Sequence, residues 1–211
     1  MPKDHKVLLD SLIRAGYLST PSVIKAMESI PRELFVPSDK RGFAYVDKPL
    51  QIGLGQTISA PHMVALMAEA LDLHAGHKVL EIGTGSGYHA AVISQIIGDG
   101  HIYTIERHKT LANQAKKNLA KAGIRNVTVF QGDGSLGLPQ YSPYHRIYVT
   151  CASPSIPPPL IDQLSAHGKL LIPVGRLYCR LMLLEKNKNL HQHDLGGCVF
   201  VPLIGKKGYP K

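Results

Sequence analysis

No apolar run in these 211 residues approaches the ~20 that a membrane-spanning helix needs. The opening Met1-Pro2-Lys3-Asp4-His5-Lys6 leads into an amphipathic segment, not an apolar signal core, so export is not expected. Cysteines number only three, Cys151, Cys179 and Cys198. An odd, widely spaced set fits neither a disulfide framework nor a zinc cluster, and points to a reducing, cytoplasmic setting. His191 and His193 are the one close histidine pair and read as solvated, so no metal is expected. Acidic residues are scarce: 15 against 24 lysines and arginines, a net charge of +9. That excess would draw in any anionic partner. The lysines, however, gather at 109, 116, 117 and 121 and at 206, 207 and 211, without the interleaved aromatics of single-stranded RNA readers. They read as a solvated basic face, and no specific nucleic acid or membrane partner is expected. No internal repeat or low-complexity tract occurs, and no motif sets a serine beside a histidine base. The length and the 44% apolar content are those of one globular domain, residues 1–211, expected to be monomeric.

What is present centres on Lys78-Val79-Leu80-Glu81-Ile82-Gly83-Thr84-Gly85-Ser86-Gly87. Val79, Leu80 and Ile82 suit a strand buried on both faces, and the alternate glycines let a ligand approach the backbone closely. Residues 88–97, apolar and rich in small side chains, predict the helix that packs back on the strand. Strand, glycine turn and helix make a ligand site at the carboxyl edge of a parallel sheet. The dinucleotide pattern G-x-G-x-x-G fails here, because Tyr88 stands at its third glycine. Glu81 would repel a pyrophosphate and suits a ligand with an ammonium group.

The remaining segments alternate. Helices are expected over residues 4–16, with Val7, Leu8, Leu12 and Ile13 on one side, and from Thr20 as cap to Pro31. Residues 43–55 read as a long loop, and residues 55–62 lead into a helix with Pro61 in its first turn. Ser59 lies just before that helix. Its hydroxyl either caps the helix or receives an anionic substrate group there. Residues 101–106 form a second strand ending in Glu106, whose carboxylate can accept both hydroxyls of a ribose; the plainer reading pairs it with Arg107. A lysine-faced helix covers 109–122. A third strand, 127–132, runs into Gly132-Asp133-Gly134, where Asp133 could hold an adenine amino group. Strands at 144–151 and 169–175 flank a helix at 160–166, and a closing pair at 181–185 and 198–203 is joined by a polar turn. The result is a three-layer α/β/α sandwich with a mostly parallel sheet and a helical leader, 1–58, before a core at 59–211.

Motif I, Glu81 to Gly87, resembles that of the Rossmann-like S-adenosylmethionine-dependent methyltransferases. Ile30-Pro31-Arg32-Glu33-Leu34-Phe35-Val36-Pro37, Ala44-Tyr45-Val46-Asp47, Gly55-Gln56-Thr57-Ile58-Ser59 and Phe200-Val201-Pro202-Leu203 narrow the resemblance to the protein-L-isoaspartate (D-aspartate) O-methyltransferases over roughly residues 20–204. The resemblance implies methyl transfer to the free carboxylate of isoaspartyl residues in damaged proteins. An RNA or small-molecule methyltransferase is the alternative. It implies Ser59 as the active-site serine, with Thr57, Ile58, Ala60 and His62 near the peptide. Glu81, Gly83, Thr84, Gly85, Ser86, Gly87, Glu106, Arg107, Asp133 and Gly134 fall to the cofactor. The chain departs from the family at Ala60, where glutamine is usual.

Overall fold

The computed structural model describes residues 3–210. Its core is a seven-stranded sheet in the order β5-β4-β3-β6-β7-β8-β9, with β3 Lys78–Ile82, β4 His101–Glu106, β5 Val127–Gln131, β6 Tyr144–Val149, β7 Leu164–Gly175, β8 Cys179–Lys186 and β9 Leu190–Cys198. β5 to β7 run parallel and β8 and β9 return antiparallel. Alternation along the strands explains why the sheet is covered on both faces. Val79, Tyr148 and Leu171 pack into one cluster, and Leu80, Ile82, Ile147, Val149, Leu170 and Ile172 into the other. α2 (Pro21–Ser29), α3 (Pro61–Ala70), α4 (Tyr88–Ile97) and α5 (Lys109–Lys121) supply the first cluster, and the short α6 (Pro158–Asp162) contributes Leu160 to the second. This is the Rossmann-like α/β/α arrangement expected.

The leader is built into the core. α1 (Lys3–Arg14) buries His5, Leu8, Leu9 and Leu12, while Val7 and Ile13 are exposed. Its inner face is therefore rotated from the expected one, because His5 reaches the Met27 carbonyl through Nε2 at 3.0 Å. Thr20 does not cap α2 with its side chain; its hydroxyl donates to the Glu69 carboxylate of α3, tying the leader to the next helix. The expected loop at 43–55 holds β1 (Leu50–Gly53), which pairs with β2 (Gln56–Ile58) as a hairpin before α3.

Three boundaries move at the carboxyl end. α6 stops at Asp162 and β7 begins at Leu164, so the expected helix at 160–166 is shorter. β6 stops at Val149, two residues early. The expected polar turn before residue 198 is largely β9, and residues 199–203 are not part of it. β9 is an edge strand exposed for almost its whole length, so no burial selects apolar side chains and no hydrophobic period marks it. The Val201–Leu203 segment lies instead against Ala152, whose N–H donates to Val201 O at 2.8 Å and whose carbonyl accepts from Leu203 N at 2.7 Å. No described helix is long and apolar enough to cross a membrane.

Candidate functional site

β3 is the strand at which the sheet order reverses, since its neighbours β4 and β6 are reached by crossovers in opposite directions. At such a switch point the loops diverge and leave a crevice beyond the carboxyl ends. Here a cleft, partly open to solvent, is lined by the β3–α4 turn, the end of β4, β2 with Ser59, and Val201 to Ile204.

The turn is built by its glycines. At Gly83 (φ +97°) a Cβ would fall 2.4 Å from Thr150 Oγ1, so only glycine lets the turn close against the end of β6. Gly87 (φ +87°) serves packing: its Cβ would meet Leu119 of α5 at 3.2 Å, and it does not line the cleft. Gly85 N–H donates to Glu106 Oε2 and His108 N–H to Glu106 Oε1, each at 2.9 Å. These bonds aim the Glu106 carboxylate at the cleft and leave each oxygen a further lone pair. Arg107 also lines the cleft, with Nη2 2.8 Å from His108 Nε2 rather than on Glu106.

Below the turn, Thr104, Glu81 and Tyr148 stand opposite one another across three strands. Thr84 Oγ1 lies 2.7 Å from Thr104 Oγ1, and Thr104 donates to Glu81 Oε2. Among the described residues Glu81 Oε1 and the Tyr148 hydroxyl have no partner in good hydrogen-bond geometry, although the hydroxyl lies close enough to the Glu81 carboxyl to oppose the rise that burial imposes on it. Burial pushes the Glu81 carboxyl up to about 8, and the Glu106 charge adds to the rise. His89 of α4 packs on the Tyr148 ring, both its nitrogens unpartnered among the described residues, and burial lowers it to about 3, so it stays neutral. Nothing in the pattern of an apolar helix had marked His89, or Tyr148 within a buried strand.

Ser59 lines the cleft with Thr57 and Ile58, and Val64 joins them. Its hydroxyl does not cap α3. Ala60 holds the N-cap position, and the Asp47 carboxylate accepts from His62 N at 2.9 Å in a cap's place. His62 also contacts Asp47 through Nδ1, and neither it nor Ala60 lines the cleft. The Ser59 backbone is held by Arg32, whose Nη2 donates to Ser59 O at 2.8 Å and whose Nε donates to Ala44 O at 2.9 Å. Fully buried, Arg32 also lies 4.9 Å over the Tyr88 ring, so one side chain joins the leader, the serine and α4. Only its place in the Pro31–Pro37 stretch hinted at this.

Asp133 is bonded within the chain itself. Its Oδ1 accepts from Ser135 N and Oγ, and its Oδ2 accepts from Lys206 N at 2.7 Å. Burial alone would raise this carboxyl, but those donors hold it below the usual range. The side chain thus ties residues 205–207 to the sheet, while Gly134 lines the cleft and Asp133 does not. Among the described residues no group of three or more histidine, cysteine or acidic side chains could hold a metal.

A buried carboxyl beside a glycine turn, with a carboxylate at the tip of the next strand, fits a ligand with a ribose and with a cationic amino-acid end whose charge would favour release of the Glu81 proton. The comparisons agree. The sequence model of the protein-L-isoaspartate (D-aspartate) O-methyltransferases matches residues 3–208. The chain is 53% identical to the protein-L-isoaspartate O-methyltransferase of Methanothermobacter thermautotrophicus, over 99% of each chain. It is 49% identical to that of Hyperthermus butylicus, over 96% of this chain and 89% of the other. A solved protein-L-isoaspartate O-methyltransferase superposes with a TM-score of 0.89 at 32% identity, covering 97% of this chain and 67% of that one. A Plasmodium falciparum protein described by the same activity, solved with S-adenosyl-L-homocysteine, superposes with a TM-score of 0.84 at 26% identity, covering 96% and 99%. The chain belongs to the protein-L-isoaspartate (D-aspartate) O-methyltransferase family, S-adenosylmethionine-dependent enzymes of protein repair.

Proposed function

We propose that the cleft takes S-adenosylmethionine, with Glu106 on the ribose and Glu81 toward the amino-acid end, and that Ser59 orients the isoaspartyl carboxylate of a damaged peptide. The observation that carries this reading is that Ser59, Glu81 and Glu106 line one cleft. The bound cofactor supplies an activated methyl group. The chain's own work is then positional. A substrate carboxyl with a pKa near about 4 is already ionised at neutral pH and needs no base. Holding its oxygen in line can supply roughly 7–11 kcal/mol of barrier lowering. Arg32 fixes the Ser59 backbone, and Asp47 takes the α3 cap that the Ser59 hydroxyl would otherwise serve. Gly83 and Gly85 bring backbone close to the ligand, and Thr84 links the turn to Glu81 through Thr104. Gly134 and Val201 to Ile204 form the far wall. Asp133 anchors residues 205–207, next to that wall. The methyl ester would close to a succinimide unaided, as the family's repair activity implies.

A single cluster of buried side chains runs from Leu8 to Cys198, which supports one catalytic domain that includes the leader. We further infer a monomer acting in a reducing cytoplasm, in keeping with three free thiols. The test is methyl transfer from labelled cofactor to an isoaspartyl peptide and to its aspartyl counterpart. The extra backbone methylene moves the carboxylate relative to the main chain, so only the isoaspartyl peptide should be methylated. Equal rates on both would refute the reading.

A further inference from the structure

Two of the three thiols face each other. Cys179 begins β8, Cys198 ends β9, and the antiparallel register pairs them directly. Opposed residues of an antiparallel ladder have Cα atoms about 4.5–5.5 Å apart. That lies inside the roughly 4.4–6.8 Å that a disulfide spans. Opposed side chains also share a face: both cysteines are buried, while the next pair along the ladder, Arg180 and Gly197, is exposed. The third thiol, Cys151, lies elsewhere, with Sγ 3.9 Å from Ile82 O.

We propose that Cys179 and Cys198 are a disulfide-forming pair that, on exposure to a low-molecular-weight disulfide, staples β9 to β8 where the chain leaves the sheet to wall the cleft. Cys198, 9% exposed against 1% for Cys179, is the point of entry. Its thiolate attacks one sulfur of the small disulfide and expels the first small thiolate. The Cys179 thiol then loses its proton and attacks the Cys198 sulfur, expelling the second. Two protein thiols and one small disulfide thus give one protein disulfide and two small thiols. Burial, and then the neighbouring Cys179, push the Cys198 thiol up to about 11, so the reaction is slow at neutral pH. The staple matters because Val201 to Ile204, just beyond Cys198, line the cleft.

The full chain is incubated with oxidised glutathione without denaturant, alkylated and digested unreduced. Mass spectrometry should find a peptide pair joined through Cys179 and Cys198, two hydrogens lighter than the reduced pair, with Cys151 alkylated. Its rate of formation should rise about tenfold per pH unit from pH 7 to 9. The joined protein should melt roughly 6–12 °C higher, an effect reversed by dithiothreitol and absent in Cys198→Ser. Linkage through Cys151 or between two chains, glutathione adducts that never resolve, joining only in denaturant, or an unchanged or lower melting temperature would each overturn the proposal.

Discussion

At the residue scale, the two carboxylates of the cleft are prepared in opposite ways. Glu106 is held by two backbone N–H groups, whereas Glu81 is fully buried with one oxygen unpartnered. If Glu106 takes the ribose, Glu106→Ala removes charged hydrogen bonds worth roughly 1.5–3 kcal/mol. Cofactor affinity, read by calorimetry, should then fall about 10- to 150-fold. Unchanged binding would show that the ribose lies elsewhere. Ser59 makes a different prediction, because its hydroxyl serves no cap and, among the described residues, no histidine is hydrogen-bonded to it. Ser59→Ala should lower turnover by roughly 10- to 100-fold, the loss of one hydrogen bond to a charged group, and leave cofactor affinity within about twofold. The wild-type rate should stay flat through the histidine range. A methylated Ser59 caught during turnover, or a rate step near about pH 6.5, would instead show covalent or base catalysis.

At the scale of elements, the glycine turn performs two tasks that single substitutions can separate. Gly83 shapes the cleft, while Gly87 sets how closely α4 approaches α5. Gly87→Ala places a side chain in a left-handed conformation and presses it against Leu119 and Ala115, which should cost roughly 1–3 kcal/mol. A lower denaturant midpoint with cofactor affinity changed less than about threefold is expected. Equal stability would refute the packing role, and loss of binding without loss of stability would place Gly87 in the site itself. The α3 terminus shows the same division of labour, since Asp47 supplies the cap from outside the helix and leaves Ser59 to the cleft.

At the scale of the whole molecule, the buried Glu81 makes stability depend on pH. Its ordinary value is 4.5 and its folded value about 8, so between these the folded chain keeps a proton that the unfolded chain has lost. Stability therefore falls as pH rises from about 4.5 to about 8, and the loss is complete above that. Glu81→Gln should remove this part of the slope. In the absence of cofactor, variant and wild type should match near pH 5, and the variant should be more stable at pH 9, by at most roughly 3–5 kcal/mol. Parallel stability curves across that range would mean that Glu81 ionises freely in the folded chain.

The strand of residues 78–82, its glycine turn, the helix after it and Glu106 were all legible in the sequence, because each rests on local chemistry: continuous burial, conformations only glycine tolerates, and an acid at a strand end. Ser59 was legible only as an alternative between cap and site. Asp47, fifteen residues before His62, takes the cap, and Ser59 is left lining the cleft. β9 was hidden because an exposed edge strand carries no hydrophobic period. Arg32, His89 and Tyr148 were hidden for a different reason: what they touch is fixed by packing between elements far apart in the chain. Asp133 shows the limit most clearly, since a Gly-Asp-Gly turn suits a ligand carboxylate equally well. Only the return of residues 205–207 to the sheet, bringing Lys206 N–H to its oxygen, gave that carboxylate a structural role. The sequence by itself determined the glycine turn and the order of the layers, because short-range sterics and burial set both. The tertiary structure decided which polar groups face the cleft and which hold its walls, because a carboxylate or hydroxyl takes whichever donors the fold brings within hydrogen-bond distance.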